Sequence, residues 1–257
     1  MEPREGRARS RKRKRSKIPR KSASDVVARH PGSELVLTRK DLSYLKPGQW
    51  LNDECVNYYI ALLRDRHLEQ CKKARTLPSV GFFNSYFYTK LTNVGLDARP
   101  RGYSYSNVRR WTKPAKLKKL GLDGRNSIFE LDWVLFPVNI ENQHWVCGGL
   151  NIKAQQFVYL DSLRRAKEAR AFFAIMREYV KDEYADKVKK DTLDIETWTE
   201  RDHEGRYGVQ IGGTDCGVFT LYGLRALATG SEPRHEQKDM ERLRKELIIA
   251  IKEGVVV

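Results

Sequence analysis

From Glu34 onward the chain alternates apolar stretches with short polar breaks, and the spacing inside each stretch predicts an element. Asn52-Asp53 is a helix N-cap signal ahead of Glu54–Leu63, where Val56, Tyr59, Ile60 and Leu63 share one helical face. The aromatic-rich segment from Phe82-Phe83 to Leu91 belongs in a core. Asp132–Val138 is a short apolar run ending near Pro137 and reads as a buried strand. Trp145–Leu150 and Gln156–Leu160 read as two more strands, and the polar Asn151–Gln155 between them predicts an antiparallel hairpin. Residues 165–184 form an amphipathic helix with Phe172, Phe173, Met176 and Val180 inward, and Thr192–Trp198 alternates as a strand should. Gly212-Gly213 forces a turn, Gly217–Leu227 is a largely apolar helix ending at Gly230, and a charged helix follows from Pro233 to about Glu253. Helices flank a cluster of strands without strict alternation. The pattern therefore predicts the α+β class, with a central, mostly antiparallel sheet, rather than a doubly wound sheet.

Residues 1–32 lack this patterning and read as a disordered basic arm, leaving one domain over residues 33–257. A hydrophobic content of 40% suits a globular chain. No apolar run approaches the ~20 residues that span a bilayer, and no apolar signal segment opens the chain, so a soluble intracellular protein without membrane contact is expected. Within residues 1–22, eleven Lys/Arg against two Glu give a net charge of +9, leaving +7 of the total +16 for residues 23–257. The run Arg11–Arg15 has no apolar face and repels itself; it fits a solvated tail, a nuclear import signal or a weak phosphate-binding arm.

The four cysteines, Cys55, Cys71, Cys147 and Cys216, form no CxxC pair and no disulfide framework, so neither a metal nor a cofactor is expected. Cys216 differs from the others in context. It lies in Gly212-Gly213-Thr214-Asp215-Cys216-Gly217, just before an apolar helix whose N-terminal dipole favours a thiolate. Taken alone, this also fits a buried cysteine in a helix-capping loop. Of the five histidines, His30 falls in the arm, His67 at the polar end of a helix, and His203 and His235 in charged stretches. His144 alone lies between two apolar strands, beside Trp145, where a general base or a satisfied core histidine are both at home. Asp161 ends the next strand. If the hairpin forms, it sits at the same open end as His144, placed to orient the imidazole. Gln210 precedes Cys216 across the glycine turn, so its amide can reach back as an oxyanion donor beside the Cys216 backbone N–H.

These residues resemble the SUMO-specific, sentrin-type branch of the ubiquitin-like-protein cysteine proteases. The resemblance rests on Trp50-Leu51-Asn52-Asp53-Glu54, Phe82-Phe83-Asn84-Ser85, Val108-Arg109-Arg110-Trp111-Thr112-Lys113, His144-Trp145, Tyr159-Leu160-Asp161-Ser162, and Gln210 through Asp215-Cys216-Gly217, all in order. It implies a papain-like fold with catalytic order His144, Asp161, Cys216, and Gln210 completing the oxyanion hole. It also implies that Trp50 and Trp145 clamp a diglycine tail in a narrow tunnel, which glycine alone can thread, and that Arg110 and Trp111 belong to a protein interface. Gly212 departs from the family's asparagine, and Gly208-Val209 replaces a proline-containing stretch. The combined reading is a nuclear or cytoplasmic thiol isopeptidase and C-terminal hydrolase, cleaving after the diglycine of a ubiquitin-like modifier, SUMO first. The same machinery acting on ubiquitin or another ubiquitin-like protein is the alternative. A basic nucleic-acid-binding protein is a remote one, with import-receptor or nucleic-acid contact through Arg11–Arg15. Against it stand the modest charge of residues 23–257 and the lack of a nucleic-acid motif.

Overall fold

The computed structural model describes residues 22–74, 76–92, 102–188, 193–202 and 207–256; the basic run Arg11–Arg15 and His203 lie outside them. The chain opens with an antiparallel pair, β1 (Val26–Arg29) and β2 (Val36–Thr38), then a short helix α1 (Arg39–Ser43) and the long helix α2 (Asp53–Lys73). Strand β3 (Val80–Phe82) and helices α3 (Tyr86–Thr92) and α4 (Pro114–Lys119) precede the central strands β4 (Trp133–Ile140), β5 (His144–Asn151) and β6 (Gln156–Leu160). Helix α5 (Ala166–Lys187), strand β7 (Thr199–Arg201) and helices α6 (Cys216–Ala228) and α7 (Met240–Glu253) complete the order.

One five-stranded sheet, in the order β3-β4-β5-β6-β7, forms the centre. The antiparallel expectation holds for β4, β5 and β6; the short outer strands β3 and β7 pair in parallel, so the sheet is mixed. Side chains alternate between its two faces, as the period of a strand requires. Leu135, Trp145, Cys147, Val158 and Leu160 join the core built with α2, α6 and α7. Val134, Phe136, Val138, Val146, Phe157 and Tyr159 join the opposite core under α3 and α5. With both faces covered, β5 is buried from His144 to Leu150.

Three expectations are corrected. β1 lies inside residues 1–32, so paired structure begins within the stretch assigned to the arm. His30, assigned to that arm, is buried edge-on against Tyr58 of α2, because the turn after β1 folds back and Gly32 N–H donates to its Nδ1 at 3.1 Å. In place of a strand over Thr192–Trp198, the described part holds a 3-10 turn at Ile195–Thr197, and the strand follows at Thr199. The buried residues there are Ile195 and Trp198, three apart. That spacing suits a 3-10 turn rather than a strand, and the Asp194 carboxylate caps it at Glu196 N–H.

Candidate active site

The β4–β5 connection is a tight turn in which Glu141 and Asn142 both adopt left-handed backbone, a geometry that matches strand twist and drops His144 at the first position of β5. The β5–β6 pairing matches Cys147 with Leu160, so the start of β5 and the end of β6 meet at one end of the sheet. His144 Nε2 and Asp161 Oδ1 lie 2.6 Å apart there, both side chains at most 2% exposed. Asp161 also accepts the backbone N–H groups of Leu163 (2.8 Å, Oδ1) and Arg165 (3.1 Å, Oδ2). Burial pushes its pKa up, but the His144 hydrogen bond and charge and these two N–H donors outweigh it and hold the carboxyl below its ordinary value. Asp161 is thus an acceptor for His144 Nε2–H, which leaves Nδ1 for the thiol.

Cys216 opens α6, whose first N–H groups have no intrahelical acceptor and present a positive helix end. Burial lowers the His144 pKa, but hydrogen bonds to Asp161 and to Cys216 prevail, and the ring's pKa is raised to about 9. Gly217 is favoured by close approach: a Cβ there would sit 3.0 Å from Leu51 Cβ and 3.3 Å from Trp145 Cδ1. The other cysteines are set apart. Burial pushes the thiol pKa up at Cys55, Cys147 and, on the half-buried edge of α2, Cys71.

Gln210 is buried in the loop before Cys216, with its amide fixed at both ends. Ser162 O–H donates to its Oε1 at 2.7 Å, and its Nε2 donates to the Gly212 carbonyl at 2.8 Å, leaving a second N–H on Nε2. Gly212 has φ +89°, a conformation that a residue with a Cβ adopts under strain, which accounts for glycine at this turn. The next carbonyl, of Gly213, accepts from the Trp50 indole N–H. Trp50 is 48% exposed, whereas Trp145 is 5% exposed and donates its indole N–H to Leu51 O at 2.9 Å. The structure therefore brings His144, Asp161, Cys216, Gln210, Trp50 and Trp145 to one end of the sheet.

Arg110 and Trp111 lie elsewhere. They line a surface cavity of about 820 Å³ together with Asn57, Phe83, Asn84 and Tyr86, and none of His144, Asp161 or Cys216 borders it. The Trp111 ring packs edge-on against Phe83 at 5.9 Å and tilted against Phe87 at 5.7 Å, so it extends the core as much as the surface. Arg109, its neighbour, is held by Asp186 at 2.6 Å. The Trp50–Glu54 and Phe82–Ser85 motifs meet where Ser85 O–H donates to Asp53 Oδ1 at 2.6 Å, and Ser85 N–H donates to Asn57 Oδ1, one turn further along α2, at 2.8 Å. Sequence reading missed Ser162 and Arg244. Ser162 was visible only as the residue after Asp161. The signal for Arg244 was its position on the apolar stripe of α7, among Met240, Leu243, Leu247 and Ile251. Among the described residues no cluster of three His, Cys, Asp or Glu is placed to hold a metal ion, and no helix is long and apolar enough to cross a membrane.

A thiol at a helix N-terminus and a buried imidazole–carboxylate pair at one end of the sheet, with a fixed amide donor in the loop before the thiol, define the site type of a cysteine protease. Residues 49–256 match the family described as the Ulp1 protease family, C-terminal catalytic domain, and the chain belongs to that family. It is 35% identical over 221 residues to the ubiquitin-like-specific protease 1A of Arabidopsis thaliana, a match covering 86% of this chain and 40% of the relative. It is 28% identical over 238 residues to the sentrin-specific protease 2 of Homo sapiens, covering 89% of this chain and 35% of that protein. The matched part is thus well under two thirds of the length of either relative. In fold it is similar to the C-terminal Ulp1 protease domain solved in complex with Smt3, the yeast ortholog of SUMO (TM-score 0.66, 24% identity, 89% of this chain and 87% of that one). It is also similar to the Ulp1-like SUMO protease catalytic domain of Chaetomium thermophilum (TM-score 0.68, 22% identity, 91% of this chain and 85% of that one).

Proposed function

We propose that this chain is a thiol protease that cleaves after the C-terminal diglycine of a ubiquitin-like modifier, SUMO foremost, with Cys216 as nucleophile, His144 as acid and base, and Asp161 as orienter. The observation that carries the reading is the buried His144–Asp161 pair at 2.6 Å, at the end of the sheet where Cys216 opens α6. The Cys216 thiolate attacks the carbonyl carbon of the terminal glycine, and the carbonyl electron pair moves onto oxygen. The free Nε2–H of Gln210 and the Cys216 backbone N–H receive that oxyanion, each such donor contributing ~3 kcal/mol in the transition state. His144 Nδ1–H protonates the departing lysine amine as the tetrahedral species collapses to the thioester. Neutral His144 then takes a proton from water, hydroxide adds to the thioester, and the thiolate leaves to form the imidazolium–thiolate pair again.

Trp50 and Trp145 flank the approach to Cys216, and a slot between two indoles admits glycine while rejecting a residue with a side chain. Exposed Val209 and Ile211, beside Gln210, add apolar surface next to it, available to the body of a modifier. Arg110 and Trp111, remote from the thiol, serve that body or a conjugated protein rather than the diglycine. The basic run Arg11–Arg15 supports import into the nucleus.

A panel of activity probes, SUMO, ubiquitin and other modifiers each bearing an electrophile in place of the last glycine carbonyl, tests the reading. The expected result is covalent labelling by SUMO that Cys216→Ala abolishes. Labelling by ubiquitin alone transfers the assignment to the alternative modifier, and labelling that survives Cys216→Ala refutes the nucleophile.

A further inference from the structure

Asp215 occupies the N-cap position of α6, yet its side chain does not cap the helix. Both of its oxygens turn instead to the C-terminal part of the chain. Oδ1 takes the Arg244 fork, from Nε at 2.9 Å and Nη2 at 2.7 Å, and Oδ2 takes Gln237 Nε2–H at 2.8 Å. The Arg244 side chain is 2% exposed. The same guanidinium, with one Nη2–H shared between acceptors, also donates to backbone carbonyls of two separate segments. Nη1 donates to Lys46 O at 3.0 Å, and Nη2 to Gln49 O at 2.9 Å and Thr214 O at 2.7 Å. One planar guanidinium therefore ties the strand of chain that leads into Trp50 and Leu51 to the loop that leads into Cys216. Gln237 holds the other end of the same loop, its Oε1 accepting the Ile211 N–H at 2.7 Å.

The chemistry sets these contacts apart from ordinary core packing. Bringing a guanidinium and a carboxylate out of water is expensive, and well-packed apolar residues serve stability as well or better. Arg244 nevertheless stands on the apolar stripe of α7. What the ionic fork supplies and a leucine does not is directional hold on carbonyls whose neighbours form the two walls of the site. Leu51 also accepts the Trp145 indole N–H and lies against Gly217, so the position of the 46–51 segment is passed to both tryptophans and to the residue after the nucleophile.

We propose that Arg244, with Gln237, is a positioning pair that fixes the Cys216 loop against the Trp50–Leu51 wall, so that the thiol meets a threaded glycine carbonyl in the attacking geometry. The proposal rests on the protease reading above. A displaced loop leaves recognition of the modifier's body intact and spoils alignment at the thiol, so the effect falls on kcat rather than on KM. Lysine keeps the charge of Arg244 but lacks the planar fork that reaches Asp215, Gln49 and Thr214 together.

The test measures steady-state hydrolysis of SUMO carrying a C-terminal fluorogenic amide by the full chain and by Arg244→Lys and Gln237→Ala, with thermal melting of each. Gln237 lies at the surface end of the network, and its replacement leaves a folded protein if Arg244→Lys does not. The expected result is a kcat reduced roughly tenfold or more in Arg244→Lys and several-fold in Gln237→Ala, with KM within about twofold and the Gln237→Ala melting temperature within a few degrees. Full kcat in Arg244→Lys, full kcat in Gln237→Ala, or a loss that appears in KM alone overturns the positioning pair while wild-type turnover keeps the protease reading standing. Absence of wild-type turnover on SUMO, ubiquitin and other modifiers alike overturns the protease reading and the positioning pair with it.

Discussion

Replacing Asp161 by Asn isolates what the carboxylate contributes. The side chain keeps its size, but three N–H groups, from His144, Leu163 and Arg165, converge on its two oxygens. An amide offers only one oxygen to them and turns its own NH₂ toward a donor. The imidazole pKa is raised from its ordinary 6.5 to about 9, against burial that lowers it, so Asp161 and Cys216 together supply more than the visible difference. That difference corresponds to about 3 kcal/mol between the protonated and neutral ring. The sign follows from linkage. Because the folded pKa of His144 is raised, its contribution to stability is complete below about 6.5 and is lost as pH rises through about 9. The Asp161 pKa is lowered, so its contribution is present above the ordinary carboxylate range and is lost as pH falls through the folded value. The pair is therefore strongest between those limits, and Asp161→Asn is most destabilising in mildly acidic buffer. In activity, the wild-type kcat/KM profile keeps its plateau through neutral pH and declines near 9. The variant loses about 10²–10⁴ of kcat/KM at pH 7.5, and its alkaline decline moves down into the neutral range. The assay is the pH dependence of fluorogenic SUMO hydrolysis with parallel thermal melts. An Asp161→Asn enzyme whose decline stays near 9, with kcat/KM within tenfold of wild type, would refute Asp161 as the orienter.

Gly217→Ala puts a Cβ at 3.0 Å from Leu51 Cβ and 3.3 Å from Trp145 Cδ1, and is expected to cost about 1–3 kcal/mol and to depress turnover; an unchanged melting temperature and rate would show that the wall yields freely. The two tryptophans should separate. Trp145→Ala, at a buried site, is expected to cost about 3–5 kcal/mol in denaturant unfolding. Trp50→Ala, at a site 48% exposed, is expected to change stability by within about 1 kcal/mol while cutting kcat/KM on modifier substrates, and equal stability losses would contradict this. Ser162→Ala strips the hydroxyl that orients Gln210, leaves a buried acceptor unpaired at about 1–3 kcal/mol, and lowers kcat; Gln210→Leu alone and the Ser162→Ala/Gln210→Leu pair should then have equal rates, and additive losses would argue against a shared role.

The parts of the site that sequence could reveal are those set by local pattern. His144 and Asp161 were legible because a short polar break between two apolar strands forces a hairpin, and a hairpin brings its ends together. Cys216 was legible only in company: glycines on either side of a thiol before an apolar helix also suit a helix-capping loop, and the spacings to His144, Asp161 and Gln210 singled it out. The remainder depends on partners far along the chain. Ser162 and Gln210 lie 48 residues apart, and nothing local to either announces the other. Arg244 shows locally as a cation on an apolar stripe, but its acceptors stand 29 to 200 residues away. At Ile195–Thr197 the residues fit both a period of two and a period of three, and only the packing of Ile195 and Trp198 decides. A tryptophan beside two arginines suits an interface, and Trp111 lines the surface cavity; that its ring also packs on Phe83 and Phe87 shows only in the fold.

The separation of the four thiols has a practical reach. Cys55 and Cys147 are sealed in the core with thiols that resist ionisation, and Cys71 is pushed the same way. A mild electrophile shaped to enter the site and given in limiting amount is therefore expected at Cys216, the thiol that opens α6 at the His144 end of the sheet. The folded chain carries its own titration standard: moles of label taken up report the fraction of molecules whose nucleophile is intact, and the same count after storage in air reports how much has been lost to oxidation.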